Sequence, residues 1–370
     1  MNEELYMQRA LQLAEKGKGA VSPNPLVGCV IVAQNRIIGE GYHKKYGEAH
    51  AEVNALKSIS EEDLQNDLLQ EATVYVTLEP CSHFGKTPPC ADALIKAKVK
   101  KVVVATLDPN PLVAQNDAGR GIQKLKNAGV EVLVGMCEED AKYQNRRFMT
   151  AFLKKRPYII LKYAQTADGF IARKDGTSKW ISNAVSRKLV HKWRSEEDGI
   201  LVGKNTVLKD NPKLNVREWI GKNPIRIILA GNGFDELNSN FSVFDDSQQT
   251  FFYAYSDKDR FDNSKKATFV NKFLQTELIE LNQNNFWQEL FKDLYNKNIH
   301  SVFVEGGSKI LHSLIENGFY DEIRRFVAPN VFFKEGFEAP KISISPIKTE
   351  MIEDNKFELI TNYDLQKQRS

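Results

Sequence analysis

His50-Ala51-Glu52 and, beyond a β-branched run, Pro80-Cys81-Ser82-His83-Phe84-Gly85-Lys86-Thr87-Pro88-Pro89-Cys90 are the segments around which this chain is organised. One imidazole and two thiols are ligand types that zinc prefers, and three protein ligands leave the fourth tetrahedral position open to water. Water held in such a position ionises near neutral pH. Glu52, two residues from His50, is better placed beside that water than on the metal, where a carboxylate moves protons as general acid and base.

The order H-x-E, P-C, C is the signature of zinc deaminases, which commonly space the two cysteines by two residues. Here eight residues, Ser82 to Pro89, separate them. A closed structural zinc site would require a fourth protein ligand and would have no use for Glu52. Two inert buried cysteines with a capping histidine are the other plain reading. The conjunction of all the pieces in this order favours a catalytic metal site with His50, Cys81 and Cys90 as ligands.

Outward from this stretch the periodicity alternates. Apolar spacing predicts a helix over 4–17, strands over 26–33 and 36–41, and a helix over 50–58. Thr73 to Leu78 reads as a strand that delivers Cys81 to its carboxyl end, and Cys90 opens a helix after Pro88-Pro89. Strands at 101–107 and 130–135 with a helix at 119–128 complete an α/β unit, and ligands gather at strand carboxyl ends in such sheets. A helix from Tyr143 to Lys155 and the linker Lys154-Lys155-Arg156-Pro157 end it, so the domains are 1–150 and 157–370. The second shows strands at 158–163, 199–203, 225–230, 250–255 and 301–305, with helices near 184–195, 285–296 and 307–317. Glu305-Gly306-Gly307-Ser308 joins a strand to a helix where backbone N–H groups can hold a phosphate, without the full G-x-G-x-x-G fingerprint.

At 370 residues, two domains are expected. The net charge of +3 calls for no polyanionic partner, and aromatic–basic interleaving of the kind used on single strands is missing, which argues against nucleic acid. A tRNA- or DNA-editing deaminase and a zinc-stabilised interaction protein remain the rival classes. Four cysteines make no disulfide framework, and thiolate ligands imply a reducing compartment. The N-terminus has neither a basic start nor an apolar core, and no apolar run reaches membrane-spanning length. A cytoplasmic enzyme with no membrane partner is expected.

The run Thr77 to Cys90, with Pro23-Asn24-Pro25-Leu26-Val27-Gly28 before it and Asp108-Pro109-Asn110-Pro111 after it, resembles the bacterial bifunctional riboflavin-biosynthesis deaminase–reductases. So do Lys162-Tyr163-Ala164, Ser178-Lys179-Trp180-Ile181-Ser182, Asn205-Thr206, Asp210-Asn211-Pro212, Leu214-Asn215-Val216-Arg217 and Val304-Glu305-Gly306-Gly307. The resemblance implies a cytidine-deaminase-like three-layer α/β/α domain followed by a dihydrofolate-reductase-like α/β domain. It implies zinc-dependent deamination of 2,5-diamino-6-ribosylamino-4(3H)-pyrimidinone 5′-phosphate, then NADPH-dependent reduction to 5-amino-6-(5-phosphoribitylamino)uracil. Glu52 would be catalytic, and Asn24, His83 and Lys86 would bind this small phosphorylated pyrimidine. Ala164, Trp180, Thr206, Asp210 and the turn Gly307, Ser308, Lys309, Ile310, Leu311, His312 and Ser313 would surround NADPH. Ser178, Arg194, Leu214, Arg217 and Glu305 would meet the reductase substrate, the two arginines as phosphate clamps. Lys162 is a suggestive substrate contact at mid-strand. Without the resemblance, Lys86 reads as a solvated charge, Arg194 as a helix-surface arginine and Trp180 as core. A homo-oligomer, a dimer or larger, is also implied. Three features depart from the family pattern: Gln115-Asn116-Asp117-Ala118 separates Val113-Ala114 from Gly119, no Asp-Ser follows Ala230-Gly231, and Gly306 replaces a frequent alternative in the Glu-x-Gly turn.

Overall fold

Gly28–Ala33 is buried along its whole length, and its alternation sorts it between two cores. Cys29, Ile31 and Ala33 face one, with Val74, Val76, Val102 and Leu94, while Val30 and Val32 face the other, with Met7, Ala10 and Tyr75. In the computed structural model, residues 3–82, 88–114, 120–178, 181–232, 237, 240–255 and 274–362 are described. The chain divides into two compact units after Lys155.

In the first unit the elements run α1 (Glu4–Glu15), β1 (Gly28–Ala33), β2 (Arg36–Tyr42), α2 (Ala51–Lys57), α3 (Glu61–Gln65), β3 (Thr73–Leu78), α4 (Cys90–Lys96) and β4 (Lys101–Thr106). Then come α5 (Pro111–Ala114), α6 (Gly121–Asn127), β5 (Glu131–Val134), α7 (Glu138–Gln144) and α8 (Arg146–Lys154). The sheet order is β2-β1-β3-β4-β5, antiparallel at its β2-β1-β3 side and parallel from β3 to β5. The helix expected from Tyr143 onward begins earlier and breaks at Asn145. That side chain accepts from the Leu26 amide and donates to the Leu26 carbonyl, both at 2.8 Å. The break is slight: Asn145 sits at φ −92° and ψ 17°, its backbone still bonds Ala141 and Met149, and its side chain ties the junction to Leu26.

The second unit runs β6 (Tyr158–Thr166), β7 (Phe170–Ala172), α9 (Ala184–Glu196), β8 (Gly199–Gly203), α10 (Lys204–Asp210), β9 (Ile225–Gly231), β10 (Thr250–Tyr255), β11 (Thr276–Leu281) and α11 (Phe286–Asn296). It continues with β12 (Ser301–Val304), α12 (Ser308–Glu316), β13 (Glu322–Ala328), β14 (Phe337–Glu338), β15 (Lys348–Ile352) and β16 (Asn355–Thr361). The main sheet is ordered β11-β10-β9-β8-β12-β6-β13-β16-β15, parallel from β11 to β13 and antiparallel at the β13-β16-β15 end. Helices α11 and α12 cover one face through Leu290, Leu294, Leu311 and Leu314. Trp193 of α9 packs on the other, against Phe303, Phe326 and Phe357. Because β8, β12 and β6 lie side by side and parallel, their carboxyl ends share one edge, where ligand sites of open α/β sheets form. Among the described residues no helix is long and apolar enough to cross a membrane.

Candidate active sites

His50 is the extended residue that precedes α2, Cys81 follows the end of β3, and Cys90 is the first residue of α4. Two helix starts and a strand end therefore bring these ligand atoms to within 4.8 Å of one another. Cys90 Sγ lies 3.3 Å and Cys81 Sγ 3.6 Å from His50 Nδ1. The Cys90 amide donates to Cys81 Sγ at 3.3 Å, which fixes the second thiol's backbone against the first.

The electrostatics of the trio fit a cation. Hydrogen bonding from Cys90, helped by His50, draws the Cys81 thiol down to about 4 against the opposing effect of burial. The same pairing, together with burial, pushes the Cys90 thiol well up. Unaided, this pocket supports one thiolate and keeps the second sulfur protonated. A bound dication supports both, and two sulfurs with one imidazole are a zinc donor set.

Glu52, the second residue of α2, is 3% exposed, and burial followed by the Cys81 sulfur raises its carboxyl above the usual range. Among the described residues the converging group is His50, Cys81 and Cys90, and Glu52 lies outside it. Asn24 Nδ2 is 3.1 Å from His43 Nε2, and His43 Nδ1 is 3.2 Å from the Ala49 carbonyl. That pairing assigns the proton to Nδ1 and leaves Nε2 as acceptor, so the Asn24 carboxamide is oriented by a histidine that the sequence reading passed over. Burial lowers the His43 pKa and keeps the ring neutral, as an acceptor requires.

Arg120 anchors the segment that leads into Cys81. Its Nη2 lies 2.6 Å from Glu79 Oε2 and 3.0 Å from the Asp108 carbonyl, while the Glu79 carboxylate is fully buried two residues before Cys81. Gly121 follows because a Cβ there would fall 1.8 Å from the Pro80 carbonyl oxygen. The approach of α6 to Pro80-Cys81 thus needs glycine at this position. His83, Lys86 and the insertion Gln115 to Ala118 lie outside the described residues.

In the second unit a cavity of about 850 Å³ opens at the shared carboxyl edge of the sheet. Ala164, Ser178, Thr206, Asp210, Glu305, Gly307, Ser308, Lys309, Ile310, Leu311 and Ser313 all line it. Lys162, Lys204, Tyr255, Phe286 and Trp287 line it as well, and of these the sequence reading noticed Lys162 alone. The cavity is large enough for a dinucleotide, and the α12 end offers free N–H groups. Gly307 has φ +81°, and a Cβ on Gly306 would press on Thr206 Oγ1 and Val202 at 3.0 Å. This turn is therefore open backbone at the cavity wall, as a phosphate requires.

Arg194 and Glu305 form a two-point ion pair, and Arg194 Nη1 also donates to the Asn215 carbonyl at 3.0 Å. Arg194 is thus neither a surface arginine nor a freely offered clamp, since its fork is engaged. Lys162 is half-buried at mid-strand, and desolvation there lowers its pKa against the raising effect of Glu305. Leu214 is a buried core residue with φ +52°. Arg217 is exposed and its Nη1 lies 3.4 Å from Asn215 Oδ1. His312 turns back to the Ser308 carbonyl at 2.8 Å and is not on the cavity wall. Trp180 lies outside the described residues.

The cytidine and deoxycytidylate deaminase zinc-binding region matches residues 1–106, and the RibD C-terminal domain matches residues 157–337. The riboflavin biosynthesis protein RibD of Aquifex aeolicus (strain VF5) is 43% identical over 345 residues, covering 93% of this chain and 91% of that protein. That of Escherichia coli (strain K12) is 36% identical over 346 residues, covering 90% and 89%. The chain belongs to the RibD family of riboflavin-biosynthesis proteins. It is a bifunctional deaminase and reductase, with zinc and NADPH as cofactors. Two solved RibD-type structures share the architecture across both units' length. The Thermotoga maritima deaminase/reductase is 35% identical and covers 97% of this chain and 98% of that one, with TM-score 0.82. Acinetobacter baumannii RibD is 34% identical with the same coverage and TM-score 0.84. A cytidine-deaminase-like α/β/α unit followed by a dihydrofolate-reductase-like α/β unit is therefore the fold. His43 and Arg120 carried no signal beyond residue type, because neither lies in a spacing that a metal or nucleotide would impose.

Proposed function

We propose that the first unit deaminates 2,5-diamino-6-ribosylamino-4(3H)-pyrimidinone 5′-phosphate and that the second reduces the product's ribosyl group to ribityl. The observation that carries this reading is the trio His50, Cys81 and Cys90 beside a buried carboxyl, Glu52, that is no part of it. His50, Cys81 and Cys90 would hold zinc, which when bound supplies an ionised water for attack on a ring carbon. Glu52 takes the proton of that water, passes it to the ring nitrogen, and delivers a second to the departing amine, so that water and amine become carbonyl and ammonia. Asn24, held by His43, hydrogen-bonds the pyrimidine edge. His83 and Lys86 take the ribose phosphate.

Around the second cavity Ala164, Trp180, Thr206, Asp210 and the Gly307–Ser313 turn hold NADPH, which when bound supplies a hydride. Ser178, Arg194, Leu214, Arg217 and Glu305 meet the substrate. Reduction opens the ribosyl ring between its anomeric carbon and ring oxygen, and that oxygen must gain a proton to become the new hydroxyl. Lys162, half-buried on the cavity wall near Glu305, would supply it. Ligands that are thiols suit a reducing cytoplasm, and pairing into a dimer or larger assembly suits the reductase fold.

Mass spectrometry of products from the diaminopyrimidine phosphate tests the whole reading. Without NADPH the deaminated ribosyl compound should accumulate, and with NADPH the ribityl compound. Release of neither product from zinc-loaded, folded protein would overturn it.

A further inference from the structure

Lys213, Leu214 and Asn215 present three successive backbone carbonyls, and each is captured by a different side chain. Arg226 holds the first with Nε at 3.0 Å and Nη2 at 2.9 Å. Gln248 Nε2 holds the second at 3.2 Å, and Arg194 Nη1 the third at 3.0 Å. The next amides are held too: Val216 N donates to Asn223 Oδ1 at 2.8 Å and Arg217 N to His191 Nδ1 at 3.5 Å. The segment has no ladder of its own, so its backbone groups depend on side chains for partners.

The local conformation needs that support. Leu214 has φ +52° and is 3% exposed, an unfavourable backbone for a branched side chain. Such a residue persists where its surroundings over-determine it. Arg226 is the largest fully buried side chain of the chain's described residues, standing in β9 with its guanidinium 0% exposed. Its remaining donors reach Asp245 Oδ1 at 2.8 Å, the Val243 carbonyl at 3.2 Å and Ser247 Oγ at 3.3 Å, which fixes the fork's plane. Gln248 is buried with its Oε1 unpartnered among the described residues, while Nε2 serves the Leu214 and Pro224 carbonyls. A leucine or methionine would avoid that orphan oxygen. The glutamine's function in the fold is therefore in the two N–H bonds, one of them to the strained residue.

From this geometry we infer that Arg226 and Gln248 are positioning residues for the reductase substrate, setting the Lys213–Arg217 segment and, through the Asn215 carbonyl, the Arg194–Glu305 pair. The inference rests on the proposed substrate role of Leu214, Arg217 and Glu305. Neither residue touches the cavity. Their effect is on where the segment's carbonyls and the Arg194 fork stand, so substrate binding should respond and cofactor binding should not.

The test uses the full chain with zinc. Arg226→Lys keeps a cation for Asp245 but cannot span the Lys213 carbonyl and Asp245 with one planar fork. Gln248→Met removes the amide at similar volume and serves as the second variant if Arg226→Lys does not fold. Loss of a hydrogen bond from a charged donor corresponds to about 10- to 100-fold. KM for the deaminated phosphoribosyl substrate should rise by about that factor in Arg226→Lys and by about 3- to 10-fold in Gln248→Met. The NADPH dissociation constant, read by quenching of tryptophan fluorescence, and the rate of ammonia release should stay unchanged in both. A lowered melting temperature with unchanged KM would make the clamp structural ballast and overturn the inference. Equal loss of NADPH and substrate affinity would also overturn it, as general loosening. Arg217→Ala separates the premise from the inference: an unchanged KM there would remove the substrate role of the segment itself, whereas a raised KM beside unchanged KM in both clamp variants would reject the clamp alone.

Discussion

Arg194 Nε stands 2.5 Å from Glu305 Oε1 and Nη2 stands 2.8 Å from Oε2, joining a helix to the strand end at the cavity wall. Both side chains are about nine-tenths buried, with 12% and 10% exposure. Burial works against the Glu305 charge, but Arg194 and then Lys162 outweigh it and hold the carboxyl below its usual range. A depressed carboxylate contributes stability that is present above its unfolded value of about 4.3 and is lost as pH falls through the lowered native value.

Removing one member of such a pair leaves a buried charge uncompensated. Glu305→Ala should destabilise the second unit by about 3–5 kcal/mol, and Glu305→Gln by less, since its amide still meets one arm of the fork. Both should abolish reduction while ammonia release continues. Calorimetry and product analysis on the same sample check this, and a Glu305→Ala protein that reduces normally would exclude Glu305 from the substrate site.

The metal trio makes a stoichiometric prediction. One zinc per chain is expected, and Cys90→Ser should lose most of it together with deamination, because a hydroxyl is a poor replacement for a thiolate. Metal analysis after gel filtration checks this. Full occupancy in that variant would remove Cys90 from the ligand set.

Glu52 should be separable from the metal. Glu52→Gln should retain zinc and fold yet lose deamination by about 10²–10⁴-fold or more, the range for a positioned proton carrier. Supplied with the deaminated intermediate, the variant should reduce it at a near-normal rate. Loss of both reactions in folded, zinc-loaded protein would mean one shared pocket instead of two sites.

Lys162 should reveal itself in the pH profile. Burial lowers its pKa, so the ammonium is present below that lowered value and the neutral amine above it. A proton supplied by Lys162 therefore predicts that the reductase kcat falls with rising pH on a limb below the ordinary lysine value of about 10.4. Ammonia release should show no matching limb. Lys162→Met should lose reduction with NADPH binding intact, and an unaltered profile in that variant would assign the proton to another group.

How much of this was legible beforehand follows from the range of each interaction. The trio His50, Cys81 and Cys90, the all-apolar strand Gly28–Ala33 and the Gly-Gly turn before α12 were readable because residue type and short spacing carry their chemistry. The strand Glu322–Ala328 was not read, because Glu322 and Arg324 interrupt its apolar pattern. They are tolerated there since Arg324 Nε meets Glu322 Oε1 at 2.6 Å and the guanidinium lies over Trp193 at 4.7 Å. Lys204–Asp210 likewise passed unread, being a short polar helix held by the burial of Val207.

By itself, then, the sequence determined the metal chemistry, the α/β alternation and the division near Lys154–Pro157, all of which rest on local pattern. Tertiary structure alone decided which charges are engaged. Arg194 reads as a helix-surface residue until Glu305, 111 positions away, closes on it. Arg226 reads as a strand polar residue until Lys213, Val243, Asp245 and Ser247 converge on its five donors. A buried ion pair or clamp has no period and no fixed spacing. It exists only where packing brings the partners together and excludes the water that would otherwise separate them.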